Sequence, residues 1–337
     1  MKKSKLAILA SLALAAVLAV GLTACGGSSS SNSGSSSSAG SSNASLRFVT
    51  GGESGTYYAF GSVIAQHATN NTDLTVNALS GNGSQANVQA LQDADAELAF
   101  CQSDVMAYAY NGTNLFASTG AVKNFSVVAA LYMESVQIVT CDPDIKTVAD
   151  LKGKTVSVGA AGSGVYFNAM DILGAYDITE SDINAVYQSF GDSADSLKDG
   201  KIDAAFIVAG APTTAITDLS TSKTAYLVSL DSEHIAKLIA SSDYYKENTI
   251  AAGTYNGMTE DVTTVAVAAV VLADNSVSED AIYAFTKDLF DSASSQVSAH
   301  AKYGEISVEF GASMTSVPYH PGAAKYFAEK GITVATS

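Results

Sequence analysis

The chain has 337 residues, 33 acidic against 17 basic side chains, and a formal net charge of −16 at neutral pH. That balance leaves no basic patch for a phosphate backbone and excludes nucleic acid as a principal partner. Beyond one N-terminal run no segment is apolar for long enough to span a bilayer, and the length suffices for two lobes of ordinary size.

Lys2, Lys3 and Lys5 precede an almost unbroken apolar run from Leu6 to Leu22, which ends in Leu22-Thr23-Ala24-Cys25. The run is short for a spanning helix and has the flanks of a secretory signal. Its last four residues resemble the lipobox of bacterial lipoproteins, which implies a signal peptide over 1–24, cleavage before Cys25 and lipidation of the Cys25 thiol. Removing residues 1–24 takes three lysines away and the charge from −16 to −19. Twelve of the twenty residues 26–45 are Ser. Such a segment buries too little apolar surface to offset its ordering entropy. Residues 25–45 thus read as a lipidated cysteine and a tether, with an end-to-end distance of roughly 25 Å. The expected location is extracytoplasmic, lipid-anchored to the cell membrane, and on the outer face of the cytoplasmic membrane in a Gram-positive cell. Of the other cysteines, Cys101 and Cys141 sit in apolar strand-like runs and read as two buried free thiols, although pairing stays open.

From residue 46 onward strand-like runs alternate with amphipathic helices, the pattern of an α/β fold. Leu46–Thr50 is a short apolar strand leading into a glycine-rich stretch, residues 51–58, after which Phe60, Val63, Ile64 and His67 share one helix face. A second copy of this design follows: Thr155–Val158, then residues 159–164 (GAAGSG), then a helix through Met170 and Leu173. Ser54-Gly55-x-Tyr57-Tyr58 matches Ser163-Gly164-x-Tyr166-Phe167, 109 positions on. A further pair, Leu91-x-Asp93-x-x-x-Glu97-x-Ala99-Phe100 and Leu197-x-Asp199-x-x-x-Asp203-x-Ala205-Phe206, repeats at an offset of 106. Two motifs recurring in one order at nearly one offset point to two pseudo-symmetric lobes. The first lobe is expected over 46–140 and 262–337, the second over 141–261. Gln137–Thr140 and Val262–Val271 are the hinge candidates.

In open α/β sheets ligands sit beyond the carboxyl ends of the strands, where loops enter helices. Four such loops qualify: 52–57, 81–85, 102–104 and 162–165. Each offers unpaired amide N–H groups at a helix start, and Ser54, Thr56, Ser84, Ser103 and Ser163 add hydroxyls. Helix dipoles favour negative charge there, so a carboxylate suits the set. A hydroxyl before a helix is often only an N-cap, and for any single loop that reading has precedence. Asp104, just after Ser103, either favours its helix N-terminus or meets an amino group on the ligand. Tyr57 is assigned to the site and Tyr58 to the core, since adjacent helical residues point in different directions.

Residues 50–58 (TGGESGTYY) resemble the opening signature of the TAXI family, the solute receptors of one class of tripartite ATP-independent periplasmic (TRAP) transporters. Residues 100–105 (FCQSDV), 150–154 (DLKGK) with 159–164, and 319–326 (YHPGAAKY) resemble its later segments, so the likeness spans about 46–332. It implies a two-lobed type II periplasmic-binding-protein fold with a hinge between the lobes, a small carboxylate ligand such as glutamate, glutamine or a dicarboxylate, and delivery to a TRAP-type membrane permease. Carried over position by position, the binding segments comprise Gly55, Thr56, Tyr57, Ser84, Gln102, Ser103, Ser163 and Gly164. The loop reading adds Asp104 and Val165. Ala59 departs from the family, which often has Pro there. The chain has a single arginine, Arg47, so the arginine clamp of the other large TRAP receptor family has no counterpart here.

Neither a cofactor nor a metal is implied: His67, His234, His300 and His320 lack metal-ligand spacing, and no phosphate or dinucleotide loop is complete. Ser54 and Ser163 miss the G-x-S-x-G pattern at Thr56 and Val165. A non-enzymatic, monomeric receptor is expected. A surface-anchored sensory or adhesion module, or an enzyme on the same fold, is the alternative.

Overall fold

A computed structural model of the chain describes residues 44–336. The expected signal peptide, Cys25 and all but the last two residues of the expected tether lie outside the described residues.

In chain order the first half runs β1 (Ala44–Val49), α1 (Thr56–Asn71), β2 (Leu74–Leu79), α2 (Ser84–Gln92), β3 (Leu98–Gln102), α3 (Ser103–Asn111) and the long β4 (Phe125–Thr140). The second runs β5 (Thr155–Ser157), α4 (Val165–Ala175), β6 (Asn184–Val186), α5 (Phe190–Lys198), β7 (Ala204–Ala209), α6 (Thr214–Ser222), β8 (Tyr226–Leu227), α7 (Ser232–Ser241), β9 (Lys246–Ile250) and the long β10 (Val262–Asp274). Helices α8 (Glu279–Gln296), α9 (Val308–Gly311) and α10 (Pro321–Glu329) follow. β1 starts two residues before the expected Leu46, because Ala44 and Ser45 pair with Leu74 and Thr75.

The sheet order is β2-β1-β3-β10-β4-β7-β5-β6, which reads the same from either end. On one side two parallel βα units end against antiparallel β10; on the other two parallel βα units end against antiparallel β4. The registers repeat as well: Phe48 faces Leu98 and Val49 faces Ala99, as Val156 faces Ala204 and Ser157 faces Ala205. The duplication expected from the two sequence motifs is thus a duplication of topology.

The two long strands are buried almost throughout, since each is covered on both faces. They also cross between two cores. Phe48, Phe60, Phe100, Tyr132, Phe285 and Phe327 belong to the first; Val136, Val156, Leu173, Phe206, Tyr245 and Val267 belong to the second. β4 therefore passes from one core to the other between Tyr132 and Val136, and β10 between Val267 and Ala268. Gln137–Thr140, which the sequence suggests as hinge, is held in register against Phe206–Ala204 and Ile207 of β7. A fully paired segment bends less readily than the stretch upstream of it, where β4 exchanges one partner for another.

Tyr58 is half-buried and belongs to neither core, contrary to its sequence assignment. The apolar stripe of α1 runs through Tyr57, Phe60, Ile64 and Ala68, which turns Tyr58 off that face. Cys101 and Cys141 are both free; Cys101 is buried and Cys141 only half-buried. No helix among the described residues is long and apolar enough to cross a membrane.

Candidate ligand-binding cleft

Between the two lobes lies a cavity of about 120 Å³. It is smaller than the roughly 300–1,000 Å³ of drug-sized sites and suits a small solute. The carboxyl ends of β1, β3, β5 and β7 open onto it, so both halves of the duplication contribute. Ser54, Gly55, Thr56, Tyr57, Gly83, Ser84 and Gln102 come from the first lobe. Ser163, Gly164, Val165, Phe190, Val208 and Ala209 come from the second.

Helices α1, α2 and α4 begin on this wall, at Gly55, Gly83 and Gly164, and none of these positions has a side-chain cap bond. The serines expected as caps stand one place away: Ser84 is the first residue of α2, and Ser163 precedes the Gly164 cap position. Glycine at 83 is required by its backbone, with φ of +103°. Three helix N-termini without side-chain caps thus bring their positive dipole ends to one small space.

The Ser163 hydroxyl is 5 % exposed and has no hydrogen-bond partner among the described residues. Buried hydroxyls are ordinarily paired, so an unpaired one on a cavity wall marks a place for a polar ligand atom. Ser84 is already engaged: its Oγ donates to Gln102 Oε1 at 3.3 Å and accepts from the Gln102 amide at 3.0 Å.

Tyr57 stacks on Phe100 with ring centroids 4.5 Å apart and planes 7° from parallel. Its hydroxyl donates to Glu134 Oε2 at 2.6 Å. Glu134 is 2 % exposed and lines the cavity from the middle of β4. Burial raises its carboxyl to about 8; the Tyr57 bond opposes this, Asp104 adds to it, and Lys302 opposes it. At neutral pH most of the Glu134 population is therefore protonated.

The structure places two of the sequence-predicted residues behind the cavity rather than on its wall. Ser103 accepts the Ala268 amide of β10 at 3.1 Å, which tucks the start of α3 beneath the long strand. Asp104 is wholly buried and accepts from the Val105 amide at 2.9 Å and from Asn168 Nδ2 at 2.8 Å. Burial raises its carboxyl to about 6, against those two bonds. The amino-group contact considered for Asp104 thus has no line to the cavity, because Asn168 occupies that side of the carboxylate. The other eight, Gly55, Thr56, Tyr57, Ser84, Gln102, Ser163, Gly164 and Val165, do line the cavity.

Asn168 joins the lobes. From α4 it donates to Asp104 and to the Tyr245 hydroxyl, both at 2.8 Å, and accepts from Gln102 Nε2 at 2.5 Å. Thr56 Oγ1 donates to the Gly210 carbonyl at 2.9 Å, and the Ala86 amide donates to Gly162 O at 2.9 Å. A Cβ at Gly164 would lie 1.5 Å from Gln102 Oε1 of the opposite lobe, so any larger residue would displace the Gln102 side chain. The described arrangement is a closed one.

Sequence reasoning missed Glu134, Asn168 and the Ser189–Gly191 loop. Glu134 had a signal: it is the one carboxylate in the otherwise uncharged run Phe125–Thr140. The Ser189–Gly191 loop is the counterpart of the 81–85 loop in the duplication. The four histidines lie elsewhere. His67 pairs with Asp288, His234 pairs with Asp231, His300 stacks on Phe60 and His320 caps α10. Arg47, the single arginine, is spent on Glu97 at the edge of the first lobe, with the shortest contact 2.5 Å.

A model of the NMT1-like family matches residues 48–331, which includes every residue of this cavity. The chain belongs to the NMT1-like family. Its architecture is also similar to solved structures of low identity. One is a protein of Bordetella bronchiseptica RB50, 17 % identical, with a TM-score of 0.52 over 86 % of this chain and 81 % of that one. Another is the ligand-binding component of an ABC-type import system from Staphylococcus aureus, 8 % identical, with a TM-score of 0.50 over 88 % and 86 %. This NMT1-like chain has the mixed α/β fold of type II periplasmic-binding proteins, with the cavity between its lobes.

Proposed function

We propose that this protein is an extracytoplasmic solute receptor of the TAXI type, held to the membrane through Cys25. In this reading it closes on a small carboxylate and presents it to a TRAP-type permease. The observation that carries the reading is the convergence of three uncapped helix N-termini on one cavity beside the unpaired Ser163 hydroxyl. With Arg47 committed elsewhere, the anion is held by backbone N–H groups and by the Ser163 hydroxyl. Gly55, Thr56, Tyr57, Ser84, Gln102, Ser163, Gly164 and Val165 form its walls, while Ser103, Asp104 and Asn168 brace them. The lobes open about the stretches where β4 and β10 change cores, and a solute touching both lobes shifts the population toward closure.

Thermal unfolding in the presence of carboxylates and amino acids tests this. A ligand at 100 times its Kd stabilises the folded state by about 2.7 kcal/mol. A rise in melting temperature with amino acids or dicarboxylates, and none with uncharged solutes of equal size, is the expected pattern. No rise with any anion sinks the reading. Mass spectrometry of small molecules retained through purification would identify the solute.

A further inference from the structure

Resting on the carboxylate reading above, a second recognition element stands in the same cavity. Three helix N-termini account for an anion, yet the cavity wall also holds the buried carboxyl of Glu134. Protonated, Glu134 tolerates an anion beside it; ionised, it would repel a bare anion, so it takes the ionised form only beside a solute that also carries positive charge. We propose that Glu134 is the counter-ion for a positively charged group on the solute, and that it gives up its own proton when that solute is captured.

The surroundings of Glu134 support this. Tyr57 from α1 donates to Oε2, which leaves the other carboxyl oxygen to carry the proton, and Glu134 lines the cavity. Tyr132 and Cys101 flank it, and burial and nearby charge raise both well above their ordinary values, so neither offers a charge. Asp104 of α3 adds negative charge nearby. Lys302 is the one cation acting on it, but its ammonium pairs with Glu305 at 2.5 Å and lies 5.3 Å from the Tyr132 ring centre. From β7 only Val208 and Ala209 reach the cavity. A bound ammonium would therefore replace the proton on Glu134 as the compensating positive charge. The O–H bond breaks, the proton leaves to solvent, and an N–H of the solute donates to the carboxylate, while the Tyr57 bond stays in place. The role considered for Asp104 from sequence thus passes to Glu134.

Because burial holds this carboxyl at about 8, the exchange has a measurable sign. Near pH 7 capture of an ammonium-bearing solute releases close to one proton. Affinity then rises about tenfold per unit of pH up to about 8 and levels off above it.

The test pairs L-amino acids with the oxo acids that share their carboxylates: glutamate with 2-oxoglutarate, aspartate with oxaloacetate, alanine with pyruvate. Calorimetry of the full mature chain in buffers of different ionisation enthalpy reads protons released. In wild type the amino acid of a pair binds with release of about one proton. In Glu134→Gln the ratio of amino-acid to oxo-acid affinity falls about 100-fold. Equal or tighter binding of the oxo acid by wild type overturns the inference and leaves the anion reading standing. So does amino-acid binding without proton release, a result that needs no variant to fold. Failure of every member of every pair to bind overturns the anion reading and this inference together.

Discussion

Three outer helices of this molecule begin differently from three at its cleft. Helices α7, α8 and α9 start at Asp231, Ser278 and Ser307, and each side chain accepts an amide from the first turn. Helices α1, α2 and α4 start at glycines without such a bond, and those glycines line the cavity. Only α5 combines the two, with Ser189 capping it at the cavity rim. The carboxylates divide in the same way. On the outside, burial of Asp291 is outweighed by bonds from Lys287, Lys330 and Tyr326, which hold it down at about 2. In and behind the cleft, burial raises Glu134 to about 8 and Asp104 to about 6. The outer surface is built for stability, whereas the cleft keeps groups that cost stability until a ligand satisfies them.

The largest expected effect is on the pH dependence of folding. An unfolded chain gives up the Glu134 proton near 4.5, whereas the folded protein keeps it to about 8. Between those values the folded state binds more protons, so this group's contribution to stability is present below the lower value and lost as pH rises toward the higher one. Urea unfolding at pH 5 and pH 8 should show wild type losing about 2–4 kcal/mol more than Glu134→Gln. Asp291 has the opposite sign: its contribution is present above the ordinary carboxylate range and is lost as pH falls toward 2. Parallel pH profiles for wild type and Glu134→Gln would remove the contrast between cleft and surface carboxylates.

A pair of glycines sharpens the comparison at a smaller scale. Gly164 faces Gln102 across the cleft, and Gly322 in α10 faces the Glu279 carbonyl within the first lobe, 2.2 Å from an added Cβ. Overpacking costs about 1–3 kcal/mol at either site, but the two differ in how the strain escapes. Opening the lobes relieves it at 164 and nothing relieves it at 322. Gly164→Ala should therefore weaken binding about 10- to 100-fold and leave unliganded stability nearly unchanged. Gly322→Ala should lower stability with affinity retained. Small-angle scattering should show Gly164→Ala more extended in the presence of ligand; a compact variant of full affinity would contradict the closed arrangement.

How far the sequence reaches follows from the same division. The duplicated Leu-x-Asp motifs and the glycine loops were legible because each encodes a local event: a helix end, a tight turn, a strand. They led to the topology and to eight residues that line the cavity. Ser103 and Asp104 were misplaced because both follow a strand-to-helix turn like the others, and only tertiary packing shows β10 and Asn168 in front of them. Asn168 was illegible for a related reason: its partners Gln102, Asp104 and Tyr245 stand 66, 64 and 77 positions away, the first two in the opposite lobe and Tyr245 in a distant segment of its own lobe. Tyr57 proved to belong to both categories. It lines the cavity, yet it is 8 % exposed and stacked on Phe100, so truncation to Ala would disturb core and site together. Tyr57→Phe keeps the stack and removes only the bond to Glu134.

The smallest effect is the most direct comparison, between two serines that precede helices. Ser278 Oγ accepts the Ala281 amide at 3.3 Å at the start of α8, remote from the cavity. Replacing such a cap with Ala costs about 1 kcal/mol. Ser163 Oγ is buried without a partner among the described residues, so the unliganded protein gains nothing from it. Deleting a buried, unsatisfied hydroxyl removes its desolvation penalty, and Ser163→Ala should raise unliganded stability by up to about 1 kcal/mol. Affinity should move the other way. Losing a hydrogen bond to a charged ligand group costs about 1.5–3 kcal/mol, or roughly 10- to 100-fold in Kd. Ser278→Ala should therefore shift the denaturation midpoint downward with Kd unchanged, and Ser163→Ala should weaken Kd without lowering that midpoint. If Ser163→Ala instead destabilised the unliganded protein as much as Ser278→Ala and bound as wild type does, its hydroxyl would be a cap like the others, and the cleft would lose its distinction from the outer helices.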